Sequence, residues 1–206
     1  MKHVKHLPEA VLAFSWSRAR YLLDGDRFVI DELGPSPIPS EAPLIPGFWM
    51  RAARVRQDVR AWRSFACLYG LLRREGEGTA DWWALMLLLA EVAKPWGPAA
   101  RGQSQLPPPS PGEPLLRARL AAKELGRQAL DCGDLLPEAS TEGLVFRPVT
   151  LAGMIAMQAI HAVLALPGYR RCRWCGDWYE PARTDQSFCI PRHRFNAHYD
   201  ERKANK

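Results

Sequence analysis

A mainly helical body with a small metal-stapled module at its C-terminus is the fold class predicted for this 206-residue chain, on three observations. Apolar residues recur at helical spacing in several stretches between residues 48 and 166. Two proline-rich segments, 34–46 and 95–114, interrupt them. Residues 169–206 then gather three of the five cysteines and two of the five histidines. The expected division is a mainly α domain with a few short strands over 1–168, followed by the module over 169–206.

The elements follow in chain order. Glu9 to Leu23 fits a helix or a strand equally by period. Asp24-Gly25-Asp26 signals a turn, and Arg27 to Ile30 reads as a short strand. Five prolines between residues 34 and 46 exclude regular structure and predict an extended surface loop. Phe48, Ala52, Val55, Val59, Trp62, Ala66 and Tyr69 alternate intervals of four and three, which predicts one helix from Phe48 to about Arg74. Its arginines, Arg51, Arg54, Arg56, Arg60 and Arg63, read as a solvated face, and Glu75-Gly76-Glu77-Gly78 as its end.

Thr79 is positioned to cap a helix whose segment from Trp82 to Ala93 is apolar enough to be buried on most sides. The seven prolines between residues 95 and 114 predict a connector without helix or central strand. Leu115 to Leu130 is a charged amphipathic helix stopped near Gly133. Leu144-Val145-Phe146 is a short strand or an extended entry, and Thr150 can cap an apolar helix through Leu166, in which Met154 and Met157 serve as core filler. Pro167-Gly168 joins this helix directly to the module, which is therefore expected to dock on the helical body.

Within the module, Cys172 and Cys175 are separated by two residues, Cys189 follows after thirteen more, and His193 lies four beyond it. Two thiolates on a tight knuckle and two ligands one helical turn apart form the donor pattern of one structural zinc ion per chain. Free thiols are the competing reading, and His198 competes with His193 as fourth ligand. Pro191 suits the first turn of a helix. Trp178 to Glu180 and Gln186 to Phe188 are strand candidates joined as a hairpin, so knuckle, hairpin and helix together make a treble-clef-like finger. Cys67 and Cys132 remain as buried thiols, and the odd cysteine count points to a reducing compartment.

The run from Arg171 to Arg202 resembles the C-terminal zinc finger of bacterial CGNR-type proteins, although His193-Arg194-Phe195-Asn196 stands where that family carries Cys-Gly-Asn-Arg. The resemblance implies a helical N-terminal domain, DNA binding and a role in transcription regulation.

Charge and chemistry narrow the function classes. The formal net charge is +6, and residues 169–206 hold nine Lys and Arg against five Asp and Glu. One zinc bound by three thiolates leaves that segment near +3, moderately basic. Arg194, His198 and Arg202 recur every four residues on one helix face, with Arg192 and Lys203 beside them, as a nucleic-acid-binding stripe. Phe195 and Tyr199 form a parallel pair, expected to pack on Trp178 and the hairpin, with base stacking as the alternative. Trp174 either is exposed or covers the metal.

No phosphate-cradling loop, HExxH pair or nucleophile elbow is present, and a closed metal shell leaves no open coordination position, so an enzyme is not expected. The basic N-terminus is broken by Pro8, Glu9 and Arg18, unlike a signal peptide, and the run from Trp82 to Ala90 is too short to span a bilayer. A cytoplasmic DNA-binding protein is the reading, without a membrane partner. A protein-interaction adaptor, or a finger that serves a protein partner or a second copy, is the alternative.

Overall fold

The computed structural model describes residues 16–40, 45–73, 77–97, 103–140 and 143–204. Residues 9–15 of the undecided segment and the N-terminal basic residues lie outside them. From Trp16 the chain runs as strand, in two antiparallel pairs: β1 (Trp16–Arg18) with β4 (Ile38–Ser40), and β2 (Tyr21–Asp24) with β3 (Arg27–Ile30). The Asp24-Gly25-Asp26 turn joins β2 to β3 as expected. The segment 34–46 is not free of regular structure, because Pro39 sits in β4. That strand pairs with β1 alone, so its proline needs to supply no second ladder bond.

The expected helix from Phe48 to Arg74 is two helices, α1 (Phe48–Ala53) and α2 (Val59–Tyr69). Asp58 is the cause of the break. Its side chain accepts a hydrogen bond from the Ala61 N–H at 2.8 Å, an N-cap that starts a new helix where the old one would have run on. The apolar stripe nevertheless stays on one side, since Phe48, Ala52, Trp62, Ala66 and Tyr69 are all buried and Val55 and Val59 pack against the same core. α2 ends at Gly70, ahead of the expected 75–78, of which residues 75 and 76 lie outside the described ones.

Helix α3 (Thr79–Ala93) starts one residue earlier than a Thr79 cap requires. Gly78 is the cap position, and the Asp81 carboxylate reaches back to accept from its N–H at 3.1 Å. Its apolar run is one-sided: Trp82, Leu85, Met86, Leu89 and Val92 are buried, whereas Trp83 and Leu87 are about half exposed. A single 3₁₀ turn (Lys94–Trp96) and a two-residue strand β5 (Gln105–Leu106) lie in the proline-rich connector, followed by α4 (Glu113–Asp131). Strand β6 (Leu135–Ser140), unforeseen because Pro137 and Glu138 interrupt its pattern, pairs with β7 (Gly143–Pro148) as a hairpin.

Thr150 caps α5 (Leu151–Ala165) as its sequence predicts, accepting from the Gly153 N–H at 3.0 Å. Helices α1, α3, α4 and α5 pack on one another around Trp49, Met86, Leu125 and Ile155. Alanines at positions 118, 122 and 129 of α4 and 152, 156, 159 and 162 of α5 are buried, and such short side chains let two backbones approach closely. Each large side chain buried here contributes roughly 1.5–3 kcal/mol.

Two buried acids tie the loops of this core. Glu77 accepts from the Leu72 and Arg73 N–H groups and the Trp82 indole at 2.8, 2.7 and 2.6 Å. Asp134 pairs with Arg73 at 2.9 Å and accepts from the Thr150 hydroxyl at 2.8 Å. Of the two remaining thiols, Cys67 is half-buried, with its sulfur accepting from the Tyr21 N–H, but Cys132 is exposed, lying beyond the last turn of α4.

Candidate metal centre

Strands β8 (Tyr169–Arg171) and β9 (Trp178–Tyr179) pair antiparallel with Arg171 opposite Trp178, so the chain must reverse through residues 172–177. That reversal is the cysteine knuckle. The Cys172 N–H donates to the Asp177 carbonyl at 2.8 Å and the Gly176 N–H to the Cys172 carbonyl at 3.0 Å, closing the turn.

Helix α6 (Pro191–Ala204) brings the second pair of ligands to the knuckle, with Pro191 at its start. The donor atoms of Cys172, Cys175, Cys189 and His193 all lie within 4.8 Å of one another. Cys175 Sγ and Cys189 Sγ are 3.7 Å apart, and His193 Nδ1 is 3.0 Å from Cys189 Sγ and 3.7 Å from Cys172 Sγ. A tetrahedral ion with sulfur bonds of about 2.3 Å requires sulfurs separated by ~3.8 Å, so the set fits a metal such as zinc. His198 is not in the cluster. Its ring faces Phe188, with centroids 6.5 Å apart, and its Nδ1 contacts Glu201 at 3.3 Å.

The three thiols divide charge unevenly. Hydrogen bonding from Cys175, then from Cys189, holds the Cys172 thiol far below its ordinary value. Hydrogen bonding to Cys172 in turn pushes Cys175 far up and Cys189 up to about 12. A divalent cation held by the three sulfurs would favour the thiolate form of all three.

The expected hairpin between 178–180 and 186–188 does not form. β9 pairs with β8, and residues 180–190 are a loop organised by one side chain. Gln186 accepts from the Ala182 N–H at 2.8 Å and donates to the Phe188 carbonyl at 2.9 Å, while the Tyr179 hydroxyl donates to the Gln186 carbonyl at 2.6 Å. These bonds satisfy the loop locally where Pro181 withholds a ladder donor.

The module docks on the helical body, as its short joint predicts. β5 adds to the other side of β8, making a three-stranded sheet in the order β5-β8-β9. The Glu180 N–H donates to the Pro46 carbonyl at 3.0 Å. Gly47, at φ +87°, passes so close that a Cβ there would stand 2.8 Å from the Glu180 nitrogen. Sequence reasoning missed the main fasteners. Arg51 pairs with Asp177 and lies 4.6 Å over the Tyr69 ring, and Arg54 lies 5.6 Å over Trp178 while donating to the Gly97 carbonyl at 2.8 Å. Only Arg56, Arg60 and Arg63 form the solvated face expected of all five. Burial lowers the pKa of Arg54 and raises that of Tyr69 to about 12.

The residues of the expected stripe lie on the surface of α6. Arg192, Arg194, His198, Arg202 and Lys203 are all exposed. Phe195 and Tyr199 do not pack on Trp178: they are 71% and 68% exposed, whereas Trp178 is buried against the helical body. On the helical wheel they fall on the side away from His193, so the turn that commits His193 to the cluster points them to water. Trp174, in the knuckle, is 39% exposed. Among the described residues no helix is long and apolar enough to cross a membrane. No protein family, curated protein or solved structure matches the chain.

Proposed function

We propose that this protein is a DNA-binding regulator of transcription, in which a structural zinc ion holds a treble-clef-like finger and α6 lies against the nucleic acid. The observation that carries the reading is the two-sided character of α6. One side delivers His193 to three cysteines, and the other presents Arg194 and Arg202, neither of which has an ion-pair partner among the described residues. Cys172, Cys175, Cys189 and His193 would hold the zinc, which supplies folding energy and a fixed helix orientation. Arg192 and Lys203 add cationic reach to phosphates on either flank. The resemblance to the CGNR-type finger agrees with this division of labour.

Binding of the zinc-loaded protein to mixed genomic DNA fragments across a salt series tests the reading. Affinity is expected to fall steeply with salt, and Arg194→Ala/Arg202→Ala to weaken binding and flatten the slope by about two phosphate contacts, ~1.8 in log–log units for duplex DNA. One zinc per chain with no DNA bound at low salt overturns it. A second reading, an adaptor or self-associating protein, is favoured by the β6–β7 hairpin, where Leu144, Val145 and Phe146 are all exposed. In that case the arginine substitutions and salt leave partner binding unchanged.

A further inference from the structure

The two exposed rings of α6 are not scattered apolar surface. At 100° per residue, Arg194, Phe195, His198, Tyr199 and Arg202 fall within one arc of about 140° on the side of the helix away from His193. The shallow groove along this arc is lined wholly by α6 residues and includes both rings and both arginines, with no carboxylate. Phe195 and Tyr199 keep most of their ring area in water. Single exposed apolar residues are ordinary, but a pair in register between two arginines has a shared chemistry: flat π faces flanked by cations.

We infer that this arc is a stacking platform for unpaired bases, so that α6 binds single-stranded nucleic acid in preference to a closed duplex. The inference rests on the nucleic-acid reading of α6 and makes it narrower. Phe195 and Tyr199 rise about 6 Å apart along the helix axis. That is close to twice the ~3.4 Å spacing of stacked bases along a strand, so one base fits between the rings, or two bases of an extended strand take one ring each. Arg194 precedes Phe195 and Arg202 follows Tyr199, which places a cation at each end of the pair for the flanking phosphates. In a closed duplex the base faces are already stacked on one another, and these rings would meet only groove edges. The arginines alone would serve a duplex; the rings require open base faces.

The test is fluorescence anisotropy with the zinc-loaded full chain, using labelled oligothymidylate of about 15 nucleotides, oligouridylate of the same length, and a mixed-sequence duplex of that length. The expected result is at least tenfold tighter binding of a single strand than of the duplex, and the two strands compared with each other separate a DNA ligand from an RNA one. Phe195→Leu/Tyr199→Leu, which keeps apolar area and removes the π faces, is expected to weaken single-strand binding at least tenfold without changing its salt slope. Arg194→Ala/Arg202→Ala lowers that slope by about 1.4 for two phosphate contacts on a single strand. Duplex binding as tight as single-strand binding, or leucine substitutions without effect, overturns the stacking platform while leaving the DNA reading in place. Failure of all three probes to bind at low salt overturns both. The preference of the unaltered protein is itself decisive, so the inference can fail even if a variant loses its metal.

Discussion

Glu77 shows at the scale of one residue how much of this core depends on a satisfied polar group. Its carboxylate is buried yet accepts three hydrogen bonds, from two backbone N–H groups and the Trp82 indole, and these close the turn between α2 and α3. Burial raises its pKa above the ordinary carboxyl value, outweighing the hydrogen bonds and the Arg73 charge that oppose the shift. A group raised on folding contributes stability that is complete below its unfolded pKa and is lost as pH rises through the folded one. Glu77→Gln keeps the shape but turns an N–H donor toward one of the three donors, which costs ~1–3 kcal/mol. Denaturant melts of the two proteins from pH 4 upward should therefore show a penalty that is largest in acid and shrinks as pH rises through the shifted pKa. The cysteine–histidine cluster is common to both proteins and cancels in the difference. A penalty that grows with pH would mean that the hydrogen bonds, not burial, set the titration of Glu77.

At the scale of the element, α5 is packed closely against its neighbours, and one glycine marks where. Gly153 lies in its first turn against the Asp134 backbone, and a Cβ built there would stand 2.1 Å from the Asp134 carbonyl oxygen. No side chain can swing aside to relieve that contact. Gly153→Ala must push α5 away from the loop between α4 and β6 and strain the Asp134 bonds to Arg73 and Thr150, at a cost of ~3 kcal/mol or more. Thermal denaturation checks this, and a melting temperature within a degree or two of the parent would show that the loop yields freely. The same element illustrates what sequence makes legible. The Thr150 cap, the apolar run after it and the Pro167-Gly168 end are local signals, and they predict α5 almost to the residue. Local signals fail where a tertiary contact decides. The stripe from Phe48 to Tyr69 is continuous in period because both α1 and α2 face one core, so periodicity alone could not reveal the break that the Asp58 cap imposes. β4 and β5 form because β1 and β8 offer them an edge, a fact absent from their own proline-rich composition. The candidate metal cluster was legible because chelation demands a fixed spacing along the chain. The Arg51 and Arg54 contacts were not, because Asp177 and Trp178 lie more than a hundred residues away.

For the whole molecule, those two arginines decide whether the finger behaves as an appendage or as part of the core. Asp177 follows Cys175 by two residues and Trp178 and Tyr179 form β9, so the groups that grip the helical body belong to the same short segment that closes the knuckle. Ligand geometry and domain docking are thereby mechanically one feature. A structural zinc ion contributes its binding energy to folding, and one held by Cys172, Cys175, Cys189 and His193 would pass that energy to α1 through the knuckle and the β5-β8-β9 sheet. Removing the metal with a strong chelator should lower the melting temperature of the entire protein by about 10 °C or more, given that ~1 kcal/mol shifts a chain of this size by ~2–4 °C. Arg51→Ala should separate the two parts, since it removes both the Asp177 ion pair and the contact with the Tyr69 ring, worth ~1–3 kcal/mol together. In that variant a chelator is expected to unfold the finger while moving the helical transition much less than in the parent. Differential scanning calorimetry with and without chelator reads both effects. If the parent already shows two transitions, with the larger one indifferent to metal, the finger is tethered and not integrated, and the orientation of α6 against its ligand would be free of the helical body.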